Sequence, residues 1–160
     1  TTTLPGRSFP NGAHIAEVEI DKETGQVTLA KYTVVDDFGN LINPMLAAGQ
    51  VHGGIAQGAG QALMEHVAFD ESGQLLTATF MDYAMPRASD MPMINLEFEP
   101  VPSTANLMGM KGCGEAGTVG SMGAVANAVQ DALWDLGITQ ADMPFTPHRV
   151  WQMMNSAARS

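Results

Sequence analysis

Cysteine and charged residues are scarce in this sequence. The single cysteine, Cys113, excludes an internal disulfide and a cysteine-based metal or iron–sulfur site. Charged residues make up 15% of the 160 residues, against about 25% in an average soluble domain. The 12 methionines fill irregular gaps and the 17 glycines permit close backbone approach. Together these features indicate that much of the surface faces another domain or subunit.

Basic residues and long apolar runs are also lacking. Seven Lys and Arg against 17 Asp and Glu give a formal net charge of −10, which argues against nucleic-acid and anionic-membrane surfaces. No apolar run approaches the ~20 residues of a transmembrane helix, and the N-terminal TTTLPGRSFP has no signal-peptide pattern. Because an initiator Met is missing, we expect a processed chain or a piece of a larger polypeptide. The length fits a single domain, residues 1–160.

The first half of the chain predicts β-hairpins. After an irregular lead-in over residues 1–12, residues 13–20 alternate apolar and polar side chains, and the β-branched residues 27–36 return after the turn DKETGQ. A second hairpin is predicted around DESG, and a further strand in INLEFE. The second hairpin is expected over residues 67–69 and 74–80, and the further strand over residues 94–99.

Three helices are predicted, and with the hairpins they indicate an α+β fold. The first starts at Asn43, a typical N-cap, followed by Pro44 at the first helical position. The second covers residues 118–136 and ends at Gly137, and the third begins at Pro147. Because strands and helices do not alternate strictly, we expect antiparallel hairpins packed with three helices.

A glycine-rich stretch directly before the second helix, MKGCGEAGTVGSMG (residues 110–123), holds one acid, Glu115, among small residues. A ligand can approach such a carboxylate closely, and a helix N-terminus favours negative charge. The alternative is structural: a glycine-rich turn in which Glu115 or Thr118 simply caps the helix. Spacing alone leaves both interpretations open.

The first predicted helix is unusually rich in glycine. Each glycine costs about 1 kcal/mol relative to alanine in a helix interior, so a compensating interaction is expected. One explanation is tight packing against another element. The other is a ligand lying on the helix backbone, with glutamine amides as donors and acceptors. The residues concerned are Gly49, Gly53, Gly54, Gly58 and Gly60, with Gln50, Gln57 and Gln61.

The remaining polar residues carry weaker signals. The four histidines lack metal-ligand spacing and are expected to be packing or surface residues, so no metal ligands are predicted. Cys113 could be a nucleophile, but no Ser/His/Asp or Cys/His constellation is readable from the sequence, which favours a core or pocket-lining thiol. Lys111 could balance the charge of Glu115 or bind an anion. Asp36 and Asp37 are expected to be solvated at the end of a strand. The histidines are His14, His52, His66 and His148.

Two stretches together resemble the molybdenum-binding large subunit of the xanthine oxidase family of molybdenum hydroxylases. They are GQVHGGIAQGAGQAL (residues 49–63) and MKGCGEAGTVGS (residues 110–121), in this order and separation. The segment FPNGAHIAEVEID…VVDDFGNLINP is similar to the strands that precede the glycine-rich helix in that family. The resemblance covers nearly the whole chain and implies the C-terminal part of a molybdopterin-binding domain. Within that family, the sequence resembles most the bacterial members, such as carbon monoxide dehydrogenase and the aldehyde or N-heterocycle dehydrogenases.

The resemblance implies specific residue roles. Glu115 matches the general base beside the molybdenum, and a glutamate among small apolar groups is readily desolvated, which makes it a stronger base. Gln50, Gly53, Gly54 and Gln57 match the segment that contacts the pterin cofactor. The loop against the metal centre is formed by Lys111, Gly112, Cys113 and Gly114.

The implied reaction oxidises an aldehyde or N-heterocyclic carbon with water as the oxygen source. The implied cofactor is molybdopterin, in its cytosine dinucleotide form, with molybdenum. The implied partners are the rest of the large subunit, an iron–sulfur small subunit and an FAD subunit, in the cytoplasm or, for some members, the periplasm. We expect the 160-residue chain alone to be inactive. The alternatives are a non-catalytic assembly module of a multi-subunit complex and a stand-alone small-molecule-binding protein.

Overall fold

The structure, a computed structural model, describes residues 6–157. Of the lead-in expected over residues 1–12, residues 1–5 lie outside the described part. Residues 6–10 have no regular secondary structure, and the first strand already begins at Asn11.

The predicted first hairpin is confirmed. Strands β1 (Asn11–Ile20) and β2 (Val27–Asp37) pair antiparallel. In the turn between them, the Asp21 carboxylate accepts hydrogen bonds from the Glu23 backbone N–H and the Thr24 hydroxyl, both at 2.8 Å. Gly25 has a φ of 74°, in the left-handed region that glycine adopts without strain. Local turn chemistry therefore sets this hairpin.

A β-bulge interrupts β2. Glu17 is opposite Lys31, but the next residue of β1, Val18, is opposite Leu29, so Ala30 is an extra residue on β2. An extra residue reverses which side chains face the core. Before the bulge the buried positions of β2 are odd-numbered, and after it they are even-numbered. The buried positions are Val27, Leu29, Tyr32, Val34 and Asp36.

The third strand, β3 (Ile94–Phe98), confirms the strand predicted in INLEFE. It lies beside β2 in parallel orientation, so the sheet has the order β1-β2-β3 and is mixed rather than purely antiparallel. The second predicted hairpin is reduced to an isolated bridge between Phe69 and Leu75. The residues after this bridge do not continue the ladder, and Phe80 is 83% exposed.

The three predicted helices are present, which confirms the α+β class. They are α1 (Pro44–Leu63), α2 (Ala116–Trp134) and α3 (Pro147–Ala157). At the start of α1, the Asn43 side chain accepts a hydrogen bond from the Leu46 backbone N–H at 3.1 Å, as expected of an N-cap. After α2, Gly137 has a φ of 81° and its N–H donates to the Trp134 carbonyl at 2.9 Å.

Helix α2 packs between β1 and α1. Its buried residues recur every four positions and face α1 and the core, which also receives the inward side of β2 and part of α3. Within residues 6–157, no helix is both long and apolar enough to cross a membrane. The buried face of α2 consists of Gly117, Ser121, Val125, Val129 and Leu133.

Candidate functional site

The loop that leads to Glu115 is bound to the segment after β2. Met110 forms an isolated bridge with Gly39, and the Lys111 backbone N–H donates to the Phe38 carbonyl at 2.8 Å. The Asn40 side-chain amide donates to the Met108 carbonyl at 2.9 Å. Residues far apart in sequence thereby fix the path of the chain just before the glycine-rich stretch.

Lys111 and Asp37 form an ion pair that is largely shielded from water. Their side chains are 11% and 12% exposed. Asp37 Oδ1 also accepts from the backbone N–H groups of Gly39 and Val101, at 2.8 and 2.9 Å. The hydrogen bond from Lys111 is the main reason that the pKa of Asp37 falls to about 2. The expectation of a solvated Asp37 is therefore wrong, and Lys111 balances this carboxylate rather than Glu115.

Glu115 occupies the N-cap position of α2. Its backbone carbonyl accepts from the Val119 N–H at 3.0 Å, but its side chain makes no capping hydrogen bond. The carboxylate is exposed in this chain, so this chain alone does not supply the expected desolvation. Glu115 borders a cleft of about 610 Å³. The residues that line this cleft include His14, Asp36, Gly112, Gly114, Glu115 and Gly120.

Three titratable side chains form a hydrogen-bonded row beneath this cleft. His14 Nδ1 lies 2.8 Å from the Tyr32 hydroxyl, and His14 Nε2 lies 3.2 Å from Asp36 Oδ1. Asp36 is 1% exposed and Tyr32 is fully buried. Burial, with a smaller contribution from Asp36, raises the pKa of Tyr32. The expectation that Asp36 is solvated is wrong, because the bulge in β2 turns it towards β1 and α2.

The second oxygen of this buried carboxylate, Asp36 Oδ2, has no hydrogen-bond partner within residues 6–157. A buried acceptor without a donor is costly, so such groups are normally paired with protein, water or ligand. Asp36 lines the cleft.

Helix α1 presents amides and glycine on one exposed face. Gln50, Gly53 and Gln57 are spaced three and four residues apart and are all exposed. The Thr118 hydroxyl donates to Gln57 Oε1 at 3.2 Å, which connects this face to the first turn of α2. Gly54, by contrast, is buried: a Cβ at this position would lie 2.9 Å from the Thr118 backbone nitrogen.

The structure divides the predicted site residues into groups. Gly112, Gly114 and Glu115 line the cleft together. Cys113 is half-buried and packs against the core. The α1 residues Gln50, Gly53 and Gln57 lie on the exposed face of the neighbouring helix rather than among the residues that line the cleft.

Four glycines leave space that a large cofactor could use. A Cβ added at any of them would meet no atom of the described chain within 4 Å. Packing within residues 6–157 therefore does not require glycine there, whereas a close ligand would. No group of three or more His, Cys, Asp or Glu among the described residues could hold a metal ion. The residues fit a cofactor held through backbone and amides. Within residues 49–63 and 110–121 the open positions are Gly49, Gly53, Gly112 and Gly114, and Gly6, Gly73, Gly123 and Gly137 are open elsewhere in the described chain.

Sequence reasoning missed His14, Asp36 and Tyr32 as a connected group. The alternation of β1 does place His14 on the inward side, with Ala16 and Val18. The position of Asp36 had no such signal, because the bulge at Ala30 reverses the alternation. Ser8, in the lead-in, also reaches the site, since its hydroxyl donates to the Met110 carbonyl at 3.2 Å.

Residues 1–92 match the family model described as "Molybdopterin cofactor-binding domain". The carbon monoxide dehydrogenase large chain of Hydrogenophaga pseudoflava is 37% identical over 150 residues, which is 94% of this chain and 19% of that protein. The nicotine 6-hydroxylase large subunit of Paenarthrobacter nicotinovorans is 40% identical over 142 residues, covering 89% and 17%. The chain thus spans about a fifth of the length of these relatives.

Solved structures show the same similarity. A crystal structure of Cu,Mo-CO dehydrogenase superposes with a TM-score of 0.90 at 34% identity, over 93% of this chain and 19% of that one. Quinoline 2-oxidoreductase from Pseudomonas putida 86 superposes with a TM-score of 0.88 at 41% identity, over 91% and 19%. The family match and these similarities lead to one conclusion: the chain belongs to the molybdopterin cofactor-binding domain family, and it aligns with about a fifth of the large chains of these relatives.

Proposed function

We propose that this chain supplies the general base, Glu115, and part of the cofactor-binding surface of a molybdenum hydroxylase. The reaction oxidises an aldehyde or N-heterocyclic carbon, with water as the source of oxygen. One observation carries the proposal. The Glu115 carboxylate is exposed at a cleft, makes no capping hydrogen bond, and lies beside Gly112 and Gly114, which leave open space. These features support a carboxylate that is free to accept a proton.

The bound cofactor, molybdopterin cytosine dinucleotide with molybdenum, supplies the redox chemistry. The chain's own contribution is binding, orientation and proton transfer. Gln50 and Gln57 would hold the cofactor by donating and accepting hydrogen bonds along the exposed face of α1, while Gly53 would let it approach the helix backbone. Gly54 lies on the buried face of α1, where the lack of a side chain allows α1 and α2 to lie close together.

In the loop before α2, some residues would leave space for the cofactor and others hold the loop in place. Gly112 and Gly114 would leave room for the metal centre, and Glu115 lines the same cleft. Lys111 and Cys113 secure the loop, through the ion pair with Asp37 and through packing against the core. We expect the rest of the large subunit to cover the cleft and to desolvate Glu115.

Large exposed apolar side chains support the proposal that other polypeptide covers this chain. Leu107, Met81 and Met93 are almost completely exposed, and large apolar side chains left in water favour a surface that another polypeptide covers. We propose that the rest of the large subunit covers them, and that an iron–sulfur subunit and an FAD subunit complete a cytoplasmic complex. A related protein is named as the gamma subunit of the 6-hydroxypseudooxynicotine dehydrogenase complex.

The test is Glu115→Gln in the holoenzyme that contains this chain. A general base predicts a loss of turnover of about 10²-fold or more, with molybdenum content and assembly unchanged. Glu97→Gln, the same substitution at an exposed carboxylate of β3 that does not line the cleft, serves as the charge control. If Glu115 only caps α2 within an assembly module, Glu115→Gln destabilises the protein by about 1 kcal/mol and leaves turnover near normal.

A further inference from the structure

Two consecutive carboxylates at the end of β2 face opposite sides of the sheet, and both are removed from water. Asp36 is 1% exposed, and the side chain of Asp37 is 12% exposed. Burying a carboxylate is costly unless hydrogen bonds and opposite charges compensate. Each carboxylate makes different contacts. Those of Asp37 lead to the segment before Glu115, and those of Asp36 lead to the segment after it.

Asp37 holds the chain before Glu115. It pairs with Lys111, which is four residues earlier than the glutamate. It also accepts from the Val101 N–H at 2.9 Å, and the Lys111 N–H donates to Phe38 at 2.8 Å. The side chain and the backbone of Lys111 are therefore both tied to the end of β2.

Asp36 holds the chain after Glu115, through His14. Hydrogen bonds that join the two ring nitrogens of His14 to the side chains of Asp36 and Tyr32 set the plane of the imidazole. Helix α2 rests on this ring at Gly120, where a Cβ would lie 2.5–2.6 Å from the ring atoms. Gly120 follows Glu115 by five residues, so the ring supports the first turns of α2.

We propose that Asp36 and Asp37 are positioning residues that hold Glu115 from both sides, Asp37 through Lys111 and Asp36 through His14 and Gly120. The inference rests on the proposed role of Glu115 as the base. Within residues 6–157 the Glu115 side chain makes no hydrogen bond that would orient it, so its backbone sets its position. Two neighbouring residues of β2 thus define where the carboxylate lies.

The experiment uses the holoenzyme that contains this chain, with the variants Asp36→Asn, Asp37→Asn and Lys111→Met. Two quantities are measured for each: amide hydrogen exchange across residues 110–120, and the separate values of kcat and KM. Glu97→Gln on β3 is the matched control, because it removes an exposed carboxylate from the adjacent strand. Glu115→Gln is measured alongside.

We expect Asp36→Asn and Asp37→Asn each to speed amide exchange in this segment and to lower kcat by about tenfold or more, with little change in KM. Combining Asp37→Asn with Lys111→Met should cost no more than either change alone, since both break one contact. Lys111→Arg, which keeps the charge, should restore most of the activity lost in Lys111→Met. Glu97→Gln should match the unmodified enzyme.

Unchanged exchange in both aspartate variants would overturn the proposal, as would unchanged kcat in an enzyme that Glu115→Gln inactivates. If Asp36→Asn does not assemble, Tyr32→Phe replaces it, because it removes only the hydroxyl at the far end of the same row. Unchanged exchange there refutes the His14 contact as a support. If Glu115→Gln retains turnover, the base assignment fails, and the exchange measurement alone decides whether the aspartates hold the segment.

Discussion

At the scale of single residues, the ion pair between Asp37 and Lys111 predicts a specific pH dependence. The pKa of Asp37 is about 2 in the folded chain, below its ordinary value of 3.8. The unfolded chain therefore takes up this proton first as the pH falls. The stability from Asp37 is complete above pH 3.8 and is lost as the pH drops through about 2.

Urea unfolding across this pH range measures the effect. We expect Asp37→Asn to be less stable than the unmodified chain at neutral pH, and the difference to shrink as the pH approaches about 2. Glu17→Gln is the control, because Glu17 and Lys31 form an exposed ion pair, with side chains 59% and 54% exposed, of a kind that contributes little. A difference between Asp37→Asn and the unmodified chain that stays constant with pH contradicts the prediction.

At the scale of the elements, adjacent glycines of α1 have different roles. Gly54 is buried against α2, where a Cβ would lie 2.9–3.2 Å from the backbone of Gly117 and Thr118. Gly53 is exposed and has open space around it. Helix–helix contact explains Gly54, but nothing in residues 6–157 explains Gly53. The two possible reasons for a glycine-rich helix, packing and ligand approach, therefore apply to different positions.

Alanine substitution separates these two roles. Gly54→Ala should destabilise the chain by about 1–3 kcal/mol, because backbone must move to make room. Gly53→Ala should stabilise it by up to about 1 kcal/mol through helix propensity, while lowering the molybdenum content of the holoenzyme if the cofactor lies on this face. Urea unfolding and metal analysis provide the two measurements. Equal stability effects at the two positions would contradict the division.

Local sequence signals were sufficient for most element boundaries. Asn43–Pro44 predicted the start of α1, and Gly137 predicted the end of α2 within two residues of Trp134. Caps and turns are local, since a side chain binds backbone three or four residues away. The second hairpin was overpredicted, because tertiary contacts that the local sequence pattern does not contain decide whether two segments pair as strands. The parallel pairing of β3 with β2 could not be predicted for the same reason, since the pattern of a strand does not specify which strand lies beside it.

At the scale of the whole molecule, the surface of this chain fits one part of a larger protein. The chain spans about a fifth of its relatives, Glu115 is exposed, and Phe80 is 83% exposed. The low content of charged residues had already indicated a surface made to be covered. We therefore expect the 160-residue chain on its own to bind no stoichiometric molybdenum cofactor and to catalyse no turnover.

Native mass and metal analysis test this expectation directly. The chain alone should be metal-free, and the same chain in the complete complex should carry molybdenum and larger partners. Adding isolated cofactor to the chain is the accompanying control. Stoichiometric cofactor with turnover in the isolated chain would show that the surface is complete without partners.

The sequence by itself determined the α+β class, the first hairpin, the helix caps and the motif around Glu115, because each depends on residues close together along the chain. Only the tertiary structure decided what surrounds that glutamate. The bulge at Ala30 turns Asp36 inward, and Lys111 meets Asp37 across 74 residues. A single extra residue reverses every later side chain of a strand, and no alternation pattern contains the partner that such a reversal brings into contact.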